Sequence, residues 1–142
     1  MIVLDASFAY ALLDADDAGH AEAAAWYRAS SERIATTPLI LAEVDHLALN
    51  RGGPAGATAF RREATSGAYE VHWWSGALVG AVAVAEQYRD LRISLADASL
   101  VALAAELRTT TIATFDERHF RAVRPLTGEP AFTLLPSDAE LA

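Results

Sequence analysis

Two apolar runs in this chain stop on an aspartate, and each has a hydroxyl residue two positions from that acid. They are Met1-Ile2-Val3-Leu4-Asp5, followed by Ser7, and Thr111-Ile112-Ala113-Thr114-Phe115-Asp116, which contains Thr114. Two further acids stand among apolar neighbours: Glu43 in Leu41-Ala42-Glu43-Val44, and Asp97 shortly after Ser94. Carboxylates are hard oxygen donors, so a gathered set of them can hold a divalent cation such as Mg²⁺ or Mn²⁺. Without a cation they repel one another, and desolvation raises their pKa values. Ser7 and Thr114 are spaced to support the carboxylates or to orient cation-bound water. Each acid also has a purely structural role open to it. Asp5 and Asp116 can cap the helices that follow them. Asp97 can be the third residue of a capping box closed by Ser94, and Glu43 can reach water from the edge of an apolar helix face.

The acids meet only if the elements carrying them converge. Ile2–Leu4 reads as a short buried strand, followed by an apolar helix over Ser7–Leu13 and a polar turn at Asp14–Gly19. That turn resembles a calcium loop only superficially, because its fifth and twelfth positions are Ala18 and Ala25 instead of oxygen ligands. Alanine content predicts a helix over His20–Ser30. Ile34–Thr36 reads as a strand, and Pro38 opens a helix over Leu39–Leu49 with Leu39, Leu41, Val44, Leu47 and Ala48 on its apolar face. Arg51-Gly52-Gly53-Pro54 ends it, and a further helix spans Ala55–Ser66. Tyr69–Trp74 reads as a strand, Ala77–Tyr88 and Ala96–Leu107 as helices, and Thr109–Phe115 as a β-branched strand. Glu117–Ala122 and Phe132–Leu135 complete the series as a short helix and a last strand.

Strands alternating with helices predict an α/β fold, a single domain over residues 1–142 with a central, mostly parallel sheet of four to five strands flanked by helices. In such sheets, strand ends and helix N-termini share the edge where ligands bind. That edge is where the four acids are expected to converge.

Composition narrows the chemistry. The absence of cysteine rules out disulfides, thiolate metal sites and cysteine nucleophiles. All 11 basic residues are arginine, which rules out a Walker lysine or a Schiff base. A net charge of −8 argues against a broadly basic nucleic-acid coat but leaves room for a local arginine patch. No apolar run is long enough to span a membrane, and the N-terminus lacks a positively charged leader, so a cytoplasmic location is expected.

Asp5-Ala6-Ser7 after an N-terminal strand, Glu43 in Leu-Ala-Glu-Val, Asp97 in Ser-Leu-Ala-Asp-Ala-Ser-Leu-Val-Ala-Leu-Ala, and Thr114-Phe115-Asp116 together resemble the PIN domain. More narrowly, the chain resembles the VapC-type toxins of type II toxin–antitoxin (VapBC) systems. The motifs follow in the family's order over nearly the whole chain. The resemblance implies that Asp5, Glu43, Asp97 and Asp116 are catalytic, metal-binding acids. It implies a Mg²⁺- or Mn²⁺-dependent endoribonuclease, in which a metal-activated water hydrolyses an RNA phosphodiester. It also implies a homodimer and a small VapB-type antitoxin whose C-terminal tail covers the acidic site.

Arg118, Arg92 and Arg89 flank the acids in sequence and suit phosphate contacts. Arg121 and Arg124 fit a solvated helix face. Trp73 and Trp74 can stack on bases, although one of an adjacent pair on a strand is expected in the core. Glu43-Val44-Asp45-His46 contains one Glu-x-x-His, whereas di-iron bundles need two. His20 and His72 lack ligand spacing, and His119 is expected to cap or pack at the surface. Three rivals fit less well. An aspartate-nucleophile phosphatase or a receiver domain needs a lysine, and a von Willebrand A-like adhesion domain needs Asp-x-Ser-x-Ser where this chain has Ala9. A housekeeping PIN nuclease remains as an alternative within the family, whereas a partner-binding PIN domain without activity finds no support, since all four acids are present.

Overall fold

A computed structural model describes residues 1–139. Its core is one five-stranded sheet with every neighbouring pair parallel, in the order β3-β2-β1-β4-β5. The strands are short: β1 (Ile2–Leu4), β2 (Ile34–Thr36), β3 (Glu70–Val71), β4 (Thr111–Ala113) and β5 (Thr133–Leu135). Parallel strands need crossovers, and helices supply them here. These are α1 (Ala6–Leu13), α2 (His20–Ala29), α3 (Pro38–Ala64), α4 (Ala77–Gln87), α5 (Leu95–Leu107) and α6 (Glu117–Ala122). β1 is central and apolar on both faces, with Ile2, Val3 and Leu4 at most 4% exposed, as expected for a strand covered on both sides.

The chain winds outward from β1 twice, through β2 to β3 on one side and through β4 to β5 on the other. The strand order therefore reverses between β1 and β4, which places a crevice at their carboxyl ends. Asp5 and Thr114 immediately follow those two strands.

Strand ends differ from the sequence expectations. The expected strand over Tyr69–Trp74 pairs only at Glu70–Val71, beyond which the His72 amide donates to the Thr36 carbonyl. Trp74 turns in to pack against the core, while Trp73 is 43% exposed. The two helices expected on either side of Arg51–Pro54 are continuous except at Gly53, whose φ of 64° and ψ of −165° break the axis in a region open to glycine. Before the break, the buried seam of α3 is Ile40, Val44 and Ala48. Leu41 is only partly buried beside it, so the apolar face is rotated from the expected one. Ala98 to Ala104 of α5 are buried without interruption, because α5 is covered by both the sheet and α4. Among the described residues no helix is long and apolar enough to cross a membrane.

Candidate metal centre

Asp5 follows the central strand and is 3% exposed. Its backbone has the extended geometry of a cap, yet its side chain makes no capping hydrogen bond. Instead, the Ser7 and Thr114 hydroxyls both donate to Oδ2, each at 2.7 Å. Each hydroxyl in turn accepts a backbone N–H from the β4–α6 turn. The Phe115 amide reaches Ser7 Oγ at 2.9 Å, and the Asp116 amide reaches Thr114 Oγ1 at 3.0 Å. With their lone pairs engaged by amides, both hydroxyls point their protons at Asp5. Burial pushes the Asp5 carboxyl up, and the Ser7 and Thr114 bonds oppose that shift. The Ala6 and Ser7 amides at the start of α1 also favour the ionised carboxylate, while both side-chain donors are directed at Oδ2.

The turn that carries Asp116 is held by packing as well. The Phe115 ring stacks on Phe8, with centroids 5.4 Å apart and planes 11° apart. Gly19 also lies against that ring, and a Cβ there would come within 2.8 Å of it. Asp116 itself makes no side-chain cap on α6, and its side chain is 47% exposed.

Asp97 lies in the first turn of α5, and only half of the expected capping box forms. Ser94 Oγ accepts the Asp97 amide at 3.0 Å, but the Asp97 carboxylate faces His119, with Oδ2 3.1 Å from Nδ1. Burial, then the charge of Asp5, raises the Asp97 pKa to about 6 despite the His119 bond. His119 Nδ1 is also 3.9 Å from Asp116 Oδ2. Asp97, Asp116 and His119 each present a ligand atom, all within 4.8 Å of one another. The sequence expectation for His119 is therefore corrected: its side chain is 15% exposed and faces the acids. The three-residue spacing from Asp116 was the available signal, since residues i and i+3 share a helix face.

Glu43 stands at the rim, exposed and without a hydrogen-bond partner among the described residues. Partial enclosure raises its pKa first, followed by the charges of Asp5, Asp97 and Asp116. Asp5 and Glu43 lie outside the tight Asp97–Asp116–His119 group but are coupled to it by charge.

Sequence reasoning missed a second layer of hydroxyls that orients the helices. Thr37 caps α3, accepting the Ile40 amide, and its hydroxyl lies 2.8 Å from that of Ser99, which donates to the Ala96 carbonyl. This chain ties the start of α3, which carries Glu43, to the start of α5, which carries Asp97. Thr36 Oγ1 donates to the Leu4 carbonyl just before Asp5.

The remaining candidates separate. Arg89, Arg92, Arg118 and Arg124 are exposed. Arg121 pairs with both Glu117 and Asp138, so it is a structural clamp and not only a solvated residue. His20 is bonded to the Ala11 carbonyl, His72 to Glu70, and His46 to Asn50, away from any ligand set.

The donor set suits a hard divalent ion. It combines a locked carboxylate, an unpartnered carboxylate at the rim, and two more acids beside an imidazole.

The family model for the PIN domain matches residues 2–125. Ribonuclease VapC26 of Mycobacterium tuberculosis (strain ATCC 25618 / H37Rv) is 35% identical over 136 residues, spanning 95% of this chain and all of the relative. The crystal structure of Mycobacterium tuberculosis VapC20, described as a Sarcin-Ricin loop cleaving toxin, superposes with a TM-score of 0.76 at 24% identity. The match covers 82% of this chain and 90% of that one, and it carries the fold alone. By sequence and by architecture, the chain belongs to the PIN-domain family, among the VapC proteins.

Proposed function

We propose that this protein is a divalent-metal-dependent endoribonuclease and the toxin of a type II toxin–antitoxin pair, with residues 1–142 forming one PIN domain. The observation that carries this reading is Asp5. It is a nearly buried carboxylate with one oxygen fixed by two directed hydroxyls, and its charge raises the pKa values of both Glu43 and Asp97, as that of Asp116 also does. Such a group costs stability unless a cation balances it.

In this reading Asp5, Glu43, Asp97 and Asp116 hold Mg²⁺ or Mn²⁺. A divalent ion bound there supplies an activated water and neutralises charge on the scissile phosphate. Ser7 and Thr114 fix the orientation of Asp5, and the Thr37–Ser99 contact sets the spacing of Glu43 and Asp97. His119 stabilises the ionised form of Asp97 through its ring N–H. Arg118, Arg92 and Arg89 position RNA phosphates. No side chain in the crevice needs to act as a covalent nucleophile, in keeping with a chain that has no cysteine.

The partners in this reading are RNA and a VapB-type antitoxin whose C-terminal tail covers the acids, and the location is cytoplasmic. The outward face of α4, where Leu78, Val79 and Val82 are exposed, supports a homodimer.

The test is cleavage of a structured RNA by wild type, Asp5→Asn and Asp97→Asn, each with Mn²⁺ or Mg²⁺ and with EDTA. Cleavage by wild type with metal alone is expected. Cleavage that persists in EDTA, or in both variants, overturns the reading.

A further inference from the structure

The two flanks of the acidic crevice carry opposite charge. On one side, α6 lies against the segment 88–97 and is tied to it at two points. His119 meets Asp97 at 3.1 Å near the crevice, and beyond the end of α6 the Arg124 amide donates to the Tyr88 hydroxyl at 3.2 Å. Arg89 and Arg92 lie on one of these paired segments, and Arg118 and Arg124 on the other. All four are exposed, and among the described residues no ion pair holds any of them. Arg121, between them in sequence, is committed to Glu117 and Asp138. α6 rises about 9 Å over its 6 residues, so the strip reaches well beyond the acids.

The other flank is a hollow of about 450 Å³ that begins at Ser7 and Phe115 and is walled by Asp17 and Glu22. Its one arginine, Arg51, lies 5.0 Å over the Tyr10 ring and faces the Asp14 carboxylate. The first flank offers four guanidinium groups without ion pairs against one exposed carboxylate, Asp90, whereas the second offers Asp17 and Glu22 against one arginine that is already engaged.

We infer that the RNA strand leaves the acidic crevice on one side only, over the strip formed by segments 88–92 and 118–124, with Arg124 as a phosphate-positioning residue alongside Arg89. This inference rests on the ribonuclease reading above and adds the path of the substrate. A chain with a net charge of −8 repels RNA over most of its surface, so local guanidinium groups must supply the attraction and the orientation. Arg124 is suited to this because the Tyr88 hydroxyl fixes its backbone, leaving only the side chain to order on binding. Leu126, exposed just beyond it, marks where the strip ends.

The test uses the full-length protein with Mn²⁺ and a labelled single-stranded RNA of about 12 nucleotides, within the span of single-strand sites. KM, kcat and the salt dependence of binding are measured for wild type, Arg89→Ala, Arg124→Ala and Arg121→Ala. Arg89→Ala and Arg124→Ala should each raise KM by about tenfold with kcat little changed. Each should also flatten the log–log salt slope by about 0.7, the share of one phosphate contact on a single strand. Arg121→Ala should lower Tm and leave both KM and the slope alone. Glu22→Gln, on the wall of the acidic flank, should leave both alone as well. If Glu22→Gln lowers KM while the arginine variants bind like wild type, the strand lies over the other flank and the inference is wrong. A wild type that cuts no RNA with Mn²⁺ overturns the ribonuclease reading itself. A wild type that cuts RNA while the arginine variants match it overturns only the path.

Discussion

β1 runs through the middle of the sheet with a strand on each side, and Asp5 at its end is 3% exposed. β4 is also followed by an acid, but three residues on, after the chain has left the sheet, and the Asp116 side chain is 47% exposed. Both acids follow an apolar strand and precede a helix, yet only Asp5 is held by side chains. Two hydroxyls fix it, whereas Asp116 gives its amide to Thr114 and leaves its carboxylate to the crevice. The difference teaches that one crevice can combine a preorganised ligand with an adaptable one. The locked acid pays its desolvation cost in the folded apo-protein, and the exposed acid can shift as substrate and metal arrive.

The sharpest way to break this contrast is to neutralise each acid in turn. Asp5→Asn should lower kcat/KM in Mn²⁺ by more than about a hundredfold, beyond the usual loss for a supporting residue. Asp116→Asn should lose less, because neighbouring acids and water can compensate at an exposed position. Equal losses would erase the distinction.

A stability measurement on metal-free protein comes next. The Asp97 carboxyl rises from 3.8 to about 6 on folding, so between those values the folded state binds the proton more tightly than the unfolded state. This group's stabilising contribution is complete below about pH 4 and is lost as pH rises through about 6, for a change of about 3 kcal/mol. Comparing urea unfolding of wild type and Asp97→Asn across that window should isolate this slope, and saturating Mn²⁺ should suppress it. Parallel curves for the two proteins would show that Asp97 does not carry the strain.

The hydroxyl lock is probed by Ser7→Ala and Thr114→Val. Each should weaken Mn²⁺ binding by about 10- to 100-fold, the range for residues that orient ligands, as read from calorimetric titration. Unchanged affinity in both would mean that burial alone positions Asp5. The smallest effect concerns the exposed side. Arg121→Ala releases α6 from Asp138 and should cost about 0.2–1 kcal/mol in thermal unfolding, as partly exposed ion pairs do. Mn²⁺ affinity should stay near that of wild type, and a loss as large as that of Thr114→Val would contradict this.

Much of this arrangement is legible from local pattern. Apolar runs ending in acids, the Ser94 cap and the Pro38 helix start are short-range signals, and each fixes a backbone direction within one turn. His119 was harder to see, because its role depends on α5 arriving beside α6. The Thr37–Ser99 contact spans 62 positions, and no local pattern announces it. The strand over Tyr69–Trp74 was overestimated for a related reason: β propensity favours pairing, but β2 offers a partner only as far as Thr36.

The sequence by itself determined the alternation of strands and helices, the identity of the four acids and the exclusion of thiol and lysine chemistry. Those follow from residue type and spacing, which act over a few positions. Only the tertiary structure decided that Asp5 is locked and not a helix cap, that Asp97 turns from its capping box to His119, and that Arg121 is taken up by Glu117 and Asp138. Each of those outcomes is a competition between a local hydrogen bond and a partner brought from far along the chain. Burial beside that partner settles it, because an unpaired polar group costs more inside the fold than at its surface.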